Sequence, residues 1–329
     1  MIQIAELFDP GDQHKMRIAA QSGVTHAIAR LAPVLADVPR DRFPAVIASV
    51  KRELEDAGLL FAGVESHPVP AEKIKLGLPG RDEEIENYLA VMRALAAEGV
   101  TLLCYNWMAG LGWYRTSTAV PERAGALVSE FDWSTAEREG PTPWGIVTEE
   151  QLWANLAYFL AAVLPLADQL GLRMAIHPDD PPVSPLRGIA RILTTAGAFR
   201  RVLSLHNGPS NGITFCQANF RLMGEDTAVL VREWCAAQRI FFVHLRDIVG
   251  TREHFRETFH DNGPGNLALD LKVYQDSGFT GPMRPDHAPT LDGESNAKPG
   301  YAIAGKILAV GYLKGAMDAL GIPYYGGRP

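Results

Sequence analysis

The sequence predicts a (β/α)8 barrel with an insertion after its fourth strand, and three observations lead there. Eight short β-type runs alternate with longer segments of helical period along the 329 residues, which is the count such a barrel requires. No GxGxxG or GxxxxGKS/T loop occurs, so a doubly wound nucleotide-binding sheet loses weight. Four of the runs end in a His, a Cys or an Asp, at the place where a parallel α/β protein puts its chemistry.

The strands are expected at residues 2–7, 24–30, 59–65, 100–107, 173–177, 212–216, 240–246 and 282–286. A ninth candidate, 201–206, reads as an extra strand or as a loop. Residues 84–97 carry Ile85, Leu89, Met92 and Leu95 at spacings of three and four, the period of a helix with one buried face. Residues 149–170 open on Thr148-Glu149-Glu150-Gln151, a capping-box pattern, and present Leu152, Leu156, Phe159 and Val163 on one side. The last helix, 303–320, stops at Gly321 and Pro323. Residues 116–143 are mixed in character and rich in Pro and Gly, and are read as the insertion, a lid or a contact between copies. Residues 287–300 form a second long loop. The whole chain, 1–329, reads as one catalytic barrel domain.

Composition narrows the function. A hydrophobic content of 47% supports a large core. A net charge of −7 without a basic cluster argues against nucleic acid. The longest apolar runs, such as 154–166, contain Pro165 and are too short to cross a bilayer, so no membrane partner is expected. Met1-Ile2-Gln3-Ile4 lacks the charged and apolar regions of a signal peptide. Three cysteines, Cys104, Cys216 and Cys235, do not make a disulfide framework. The expected setting is the cytoplasm and the expected partner a small molecule. The insertion and the apolar last helix suit a homo-oligomer.

Four strand ends then converge on one mouth. The fifth ends in His177, the sixth in Cys216, the seventh in His244 and the eighth in Asp286, with His287 beside it. Two imidazoles, a thiolate and a carboxylate are a full ligand set for a borderline divalent ion. Singly, each has an ordinary structural role: a satisfied His, a small core Cys, an Asp holding its neighbour. Their joint occurrence at successive strand ends points to a metal. Ligand type alone does not choose among manganese, iron, cobalt and zinc. Arg246 lies two residues beyond His244, points the same way along its strand, and is expected to hold a substrate carboxylate. Asp179, Tyr105, Asn106 and His260 are expected as contacts to substrate hydroxyls.

Several runs carry a family resemblance. They include Lys75-Leu76-Gly77-Leu78-Pro79-Gly80-Arg81-Asp82, Cys104-Tyr105-Asn106-Trp107-Met108 and His177-Pro178-Asp179-Asp180-Pro181-Pro182. Pro209-Ser210-Asn211-Gly212-Ile213-Thr214-Phe215-Cys216, Phe259-His260, Met283-Arg284-Pro285-Asp286-His287 and Lys298-Pro299-Gly300-Tyr301 continue the series in order. Together they resemble mannonate dehydratase from the first strand to the last helix. The resemblance implies a xylose-isomerase-like barrel that binds manganese and converts D-mannonate to 2-keto-3-deoxy-D-gluconate in hexuronate breakdown. It places the metal ligands at His177, Cys216, His244 and Asp286, and the acid and base at His287 and Tyr301, without saying which is which. The chain differs from the family at Gln217-Ala218-Asn219-Phe220, at Asp261, at Ala288-Pro289-Thr290 and on both sides of Arg115-Thr116. These changes surround the ligands and do not remove them. The alternative on the same scaffold is a sugar or sugar-acid isomerase or epimerase, which moves the α-proton without losing water.

Overall fold

The computed structural model describes residues 1–327. Eight parallel strands close into a barrel, in chain order around the ring: Gln3–Phe8, His26–Ala29, Leu60–Glu65, Leu102–Asn106, Arg173–His177, Asn211–Cys216, Ile240–Leu245 and Pro282–Pro285. The ring closes where Gln3 and Ile4 pair with Pro282 and Met283. All eight expected strands are present, and their ends move by no more than two residues. The sixth and seventh strands are buried at every position. A parallel strand covered on both faces needs such a continuous apolar run.

The helices follow from their caps. Glu149–Leu170 begins at a completed capping box: Thr148 Oγ1 accepts from the Gln151 backbone at 3.2 Å, and Gln151 Oε1 accepts from Thr148 N at 2.8 Å. The helix ends at Gly171 with φ of 67°, a left-handed turn that glycine adopts freely. Ile303–Leu320 ends the same way at Gly321. The helix Arg81–Ala97 starts three residues before the expected position, at Gly80, and buries Ile85, Tyr88, Met92 and Leu95.

One expectation is corrected. Residues 201–206 are neither a strand nor a loop: 201–205 lie in the helix Ala196–Leu205, capped by Thr195, which buries Phe199 and Val202 against the barrel. The insertion carries two strands of its own. Its strands Ser117–Pro121 and Leu127–Asp132 join His254–Glu257 and Ile248–Gly250, from the loop after the seventh barrel strand, in an antiparallel sheet. Phe131, Phe255 and Ile248 give that sheet its buried side, and Phe131 packs on Phe255. Leu127–Asp132 pairs with Ser117–Pro121 nearby, but its other partner, His254–Glu257, lies far along the chain and leaves no local pattern to read.

The core has two layers. A large cluster fills the space between strands and helices. A smaller one, including Leu7, Ile28, Leu102, Phe241 and Phe242, plugs the barrel interior, and Tyr301 packs against it. That plug is the floor under the strand ends.

Candidate metal and catalytic site

A cavity of about 750 Å³ opens at the ends of the barrel strands. His177, His244 and Asp286 line it, as do His287, Tyr301, Tyr105 and Asn106. Cys216 lies fully buried at the end of its strand. One ligand atom each from His177, Cys216 and His244 falls within 4.8 Å of the others, a spacing at which a single ion can meet all three. Asp286 stands beside this trio, with Oδ2 3.7 Å from His244 Nδ1.

Two features fit these groups to a cation. His244 is 2% exposed, yet neither ring nitrogen has a hydrogen-bond partner. Glu65 Oε2 comes within 3.1 Å of Nε2, but not along a hydrogen-bond direction. Asp286 Oδ1 is likewise unbonded, although Arg284 Nη1 lies 2.8 Å away. Buried polar atoms left in this state are costly unless something else meets them. His177 is also set up as a ligand: Nδ1 lies 2.7 Å from the Pro178 carbonyl, so it carries the hydrogen and leaves Nε2 bare.

A second group, Glu65, Cys104 and His244, also comes close together. It is less suited to an ion. Arg284 holds both oxygens of Glu65, at 2.9 and 2.7 Å. Burial pushes the Cys104 thiol well above its ordinary range, so the sulfur keeps its proton.

Beside the trio runs a hydrogen-bonded chain. His287 Nδ1 is 2.7 Å from Glu257 Oε1, and His287 Nε2 is 3.2 Å from the Tyr301 hydroxyl. Glu257 comes from the accessory strand His254–Glu257. Burial alone would raise the Glu257 carboxyl, but His287 and Arg115 pull it far below the usual range, so it is an anion. A carboxylate accepts, so His287 Nδ1 carries the hydrogen. Burial raises the Tyr301 phenol well above its ordinary value, so it stays protonated.

Three expected substrate contacts are corrected. Arg246 is fully buried and does not line the cavity. Its guanidinium is taken up by Asp286 Oδ2 at 2.9 Å, Asp180 Oδ2 at 2.7 Å and Glu257 Oε1 at 3.4 Å. It orients Asp286 and has no free edge for a substrate. Asp179 points away, accepting from Leu193 N at 2.8 Å and pairing with Arg191. His260 bonds the Leu245 carbonyl at 2.9 Å behind the wall.

Sequence reasoning did not single out Glu257, Arg115, Asp180 or Glu65. Arg115, just before the insertion, bridges Asp180 at 2.6 Å and Glu257 at 2.8 Å. Asp180 follows His177 in a noted run, but nothing local distinguishes Glu257 from any acidic loop residue.

The described helices include none long and apolar enough to cross a membrane. The sequence profile of the D-mannonate dehydratase family matches residues 1–143 and 142–323. Among curated relatives, mannonate dehydratase 2 of Halalkalibacterium halodurans is 35% identical over 345 aligned residues, covering 95% of this chain and 97% of that protein. Mannonate dehydratase of Streptococcus agalactiae serotype Ia is 34% identical over 301 residues, covering 83% and 86%. The crystal structure of mannonate dehydratase from Streptococcus suis serotype 2 superposes with a TM-score of 0.86 at 30% identity, over 99% of this chain and 97% of that one. A xylose isomerase domain protein from Alicyclobacillus acidocaldarius, at TM-score 0.60 and 14% identity over 97% and 99%, shares the fold alone.

Proposed function

This chain belongs to the mannonate dehydratase family, a family of hydro-lyases, and from that premise we propose that its cavity removes water from D-mannonate to give 2-keto-3-deoxy-D-gluconate. His177, Cys216, His244 and Asp286 would hold the divalent ion, with manganese the expected one. The ion would supply positive charge for the anion that develops when the proton beside the carboxylate leaves.

The chain's own residues divide the proton work. Glu257 keeps the hydrogen of His287 on Nδ1, so Nε2 presents a lone pair and acts as the base toward the α-proton. Tyr301 keeps its proton and is the acid for the departing C3 hydroxyl. Two bonds break in the substrate, C2–H and C3–O, and a C2–C3 double bond forms. The resulting enol tautomerises to the keto acid. The proton on His287 returns to Tyr301 across the 3.2 Å contact, and the pair is restored. Arg246 and Arg284 hold the Asp286 carboxylate from two sides and keep it in place.

The observation that carries this reading is the chain Glu257–His287–Tyr301 standing against the metal-competent trio. The test is incubation of the manganese-loaded protein with D-mannonate, with and without a chelator. Appearance of the 2-keto-3-deoxy acid, abolished by the chelator, supports it. A product mixture holding only stereoisomers of mannonate would make the protein an epimerase.

A further inference from the structure

Besides its histidines, three cationic side chains line the cavity: Arg30, Lys75 and Arg284. Two of them are taken. Arg284 is 1% exposed and spends its Nε and Nη2 on the two oxygens of Glu65. Lys75 is 6% exposed and gives its ammonium to Asn106 Oδ1 at 3.2 Å. Arg30 is different, and the proton chemistry does not use it.

Arg30 follows the second barrel strand, His26–Ala29, so it stands on the half of the mouth away from the strand ends of His177, Cys216 and His244. Its side chain keeps 29% of its surface. Among the described residues its guanidinium has one hydrogen-bond partner, Asp9, which accepts from Nη1 at 3.0 Å. Nε and Nη2 are free, and neither belongs to the buried atoms that lack a partner. They form one edge of the guanidinium, the edge with which Arg284 grips Glu65. Asp9 is itself shared, because Lys298 Nζ meets its other oxygen at 2.6 Å. One carboxylate between two cations leaves positive charge over.

An open edge of this kind selects its ligand. Two parallel N–H donors match the two oxygens of a carboxylate, whereas an alcohol brings only one oxygen. The position of Arg30 says which end of a substrate it meets. In the reading above, His287 takes the proton from C2 and Tyr301 serves the hydroxyl on C3. The Tyr301 hydroxyl meets His287, and the ring of Tyr301 lies against Arg30, 5.4 Å from centroid to guanidinium. Passing from His287 to Tyr301 to Arg30 therefore follows the substrate from C2 through C3 toward its tail. We propose that Arg30 makes this cavity a site for dicarboxylic sugar acids as well, with its Nε–Nη2 edge holding the carboxylate remote from the reacting carbons. The proposal rests on the dehydratase reading for the order of the carbons.

The test compares D-mannonate with D-mannarate, which carries a carboxylate in place of the C6 alcohol and keeps the configuration at C2 to C5. Its two ends are equivalent, so either one presents the reacting carbons. The manganese-loaded wild type and Arg30→Met proteins are assayed for kcat and KM on both acids. The wild type should release water from D-mannarate: C2–H and C3–O break, a C2–C3 double bond forms, and the enol becomes a 2-keto-3-deoxy diacid. Arg30→Met should lower kcat/KM for D-mannarate about tenfold or more beyond its effect on D-mannonate, the worth of a charge-assisted hydrogen bond. A wild type active on D-mannonate and inert toward D-mannarate overturns the proposal. Equal loss toward both acids does so too, since it would put Arg30 at the carboxylate they share, and so does no loss toward either. Arg30→Lys keeps the charge without the fork; it should show a smaller selective loss, and it replaces the methionine variant if that one fails to fold. If the wild type makes no keto acid from either compound, the dehydratase reading fails by itself. Calorimetric dissociation constants of D-mannarate for the two proteins then test the fork independently: about tenfold weaker binding by the variant supports it, and equal constants overturn it.

Discussion

At the scale of single residues, the proposed function assigns ion holding and proton transfer to separate groups, and each assignment has its own test. His177→Ala is expected to lose bound metal and activity together, because it deletes one of three closely grouped donors. Metal analysis of the purified variant checks this, and a full metal complement would remove His177 from the ligand set. Tyr301→Phe should keep its metal and lose kcat by about 10²- to 10⁴-fold, the usual worth of a positioned acid. Rates near wild type would take Tyr301 out of the reaction. Glu257→Gln tests the tautomer argument. It should keep metal and KM while kcat falls about 10- to 100-fold, as when the partner that orients an imidazole is lost. Nitrogen NMR of the His287 ring should show a changed tautomer, which a purely structural role for Glu257 would leave alone. The candidate ligands and the His287–Tyr301 pair were legible in the sequence because each ends a strand or sits in a specific run. Glu257 was not, since it reaches His287 only through a sheet assembled from two distant loops.

At the scale of elements, the insertion braces the site, because its strand Leu127–Asp132 pairs with His254–Glu257, which carries Glu257. Arg115, just before the insertion, is buried between Asp180 and Glu257, one from the loop after the fifth barrel strand and one from the accessory sheet. Arg115→Met would leave both carboxylates short of a counter-charge in a dry setting. The expected cost is about 3–5 kcal/mol, read from urea unfolding of wild type and variant. A loss under about 1 kcal/mol would mean that the sheet is held by its apolar side alone. The helices posed less difficulty. The capping box at Thr148 and the glycine stops at Gly171 and Gly321 act through neighbours three to five residues away. Such signals survive in a linear reading, whereas the accessory strand 127–132, besides its local partner 117–121, takes its other partner from the distant residues 254–257.

At the scale of the whole molecule, burial of titratable groups makes stability depend on pH. Burial, with Lys306 nearby, pulls His260 down from its ordinary 6.5 to about 4. Between these values the unfolded chain binds a proton that the folded chain refuses, so stability falls as pH drops from 6.5 toward 4. The gap corresponds to about 3 kcal/mol at most. His260→Gln should therefore lose less stability over that range than wild type does, as followed by denaturant melts at several pH values. Parallel pH curves would show that His260 carries no such penalty. The barrel itself was determined by the sequence alone, because alternating apolar strands and amphipathic helices bury their faces in few other ways. The gathering of His177, Cys216, His244 and Asp286 was determined with it, since strand ends in a closed parallel barrel must meet at one mouth. Only the tertiary structure decided that Arg246, Asp179 and His260 face away from the cavity. Which way a charged side chain turns depends on the partners that neutralise it. Those partners come from loops whose approach no local pattern encodes.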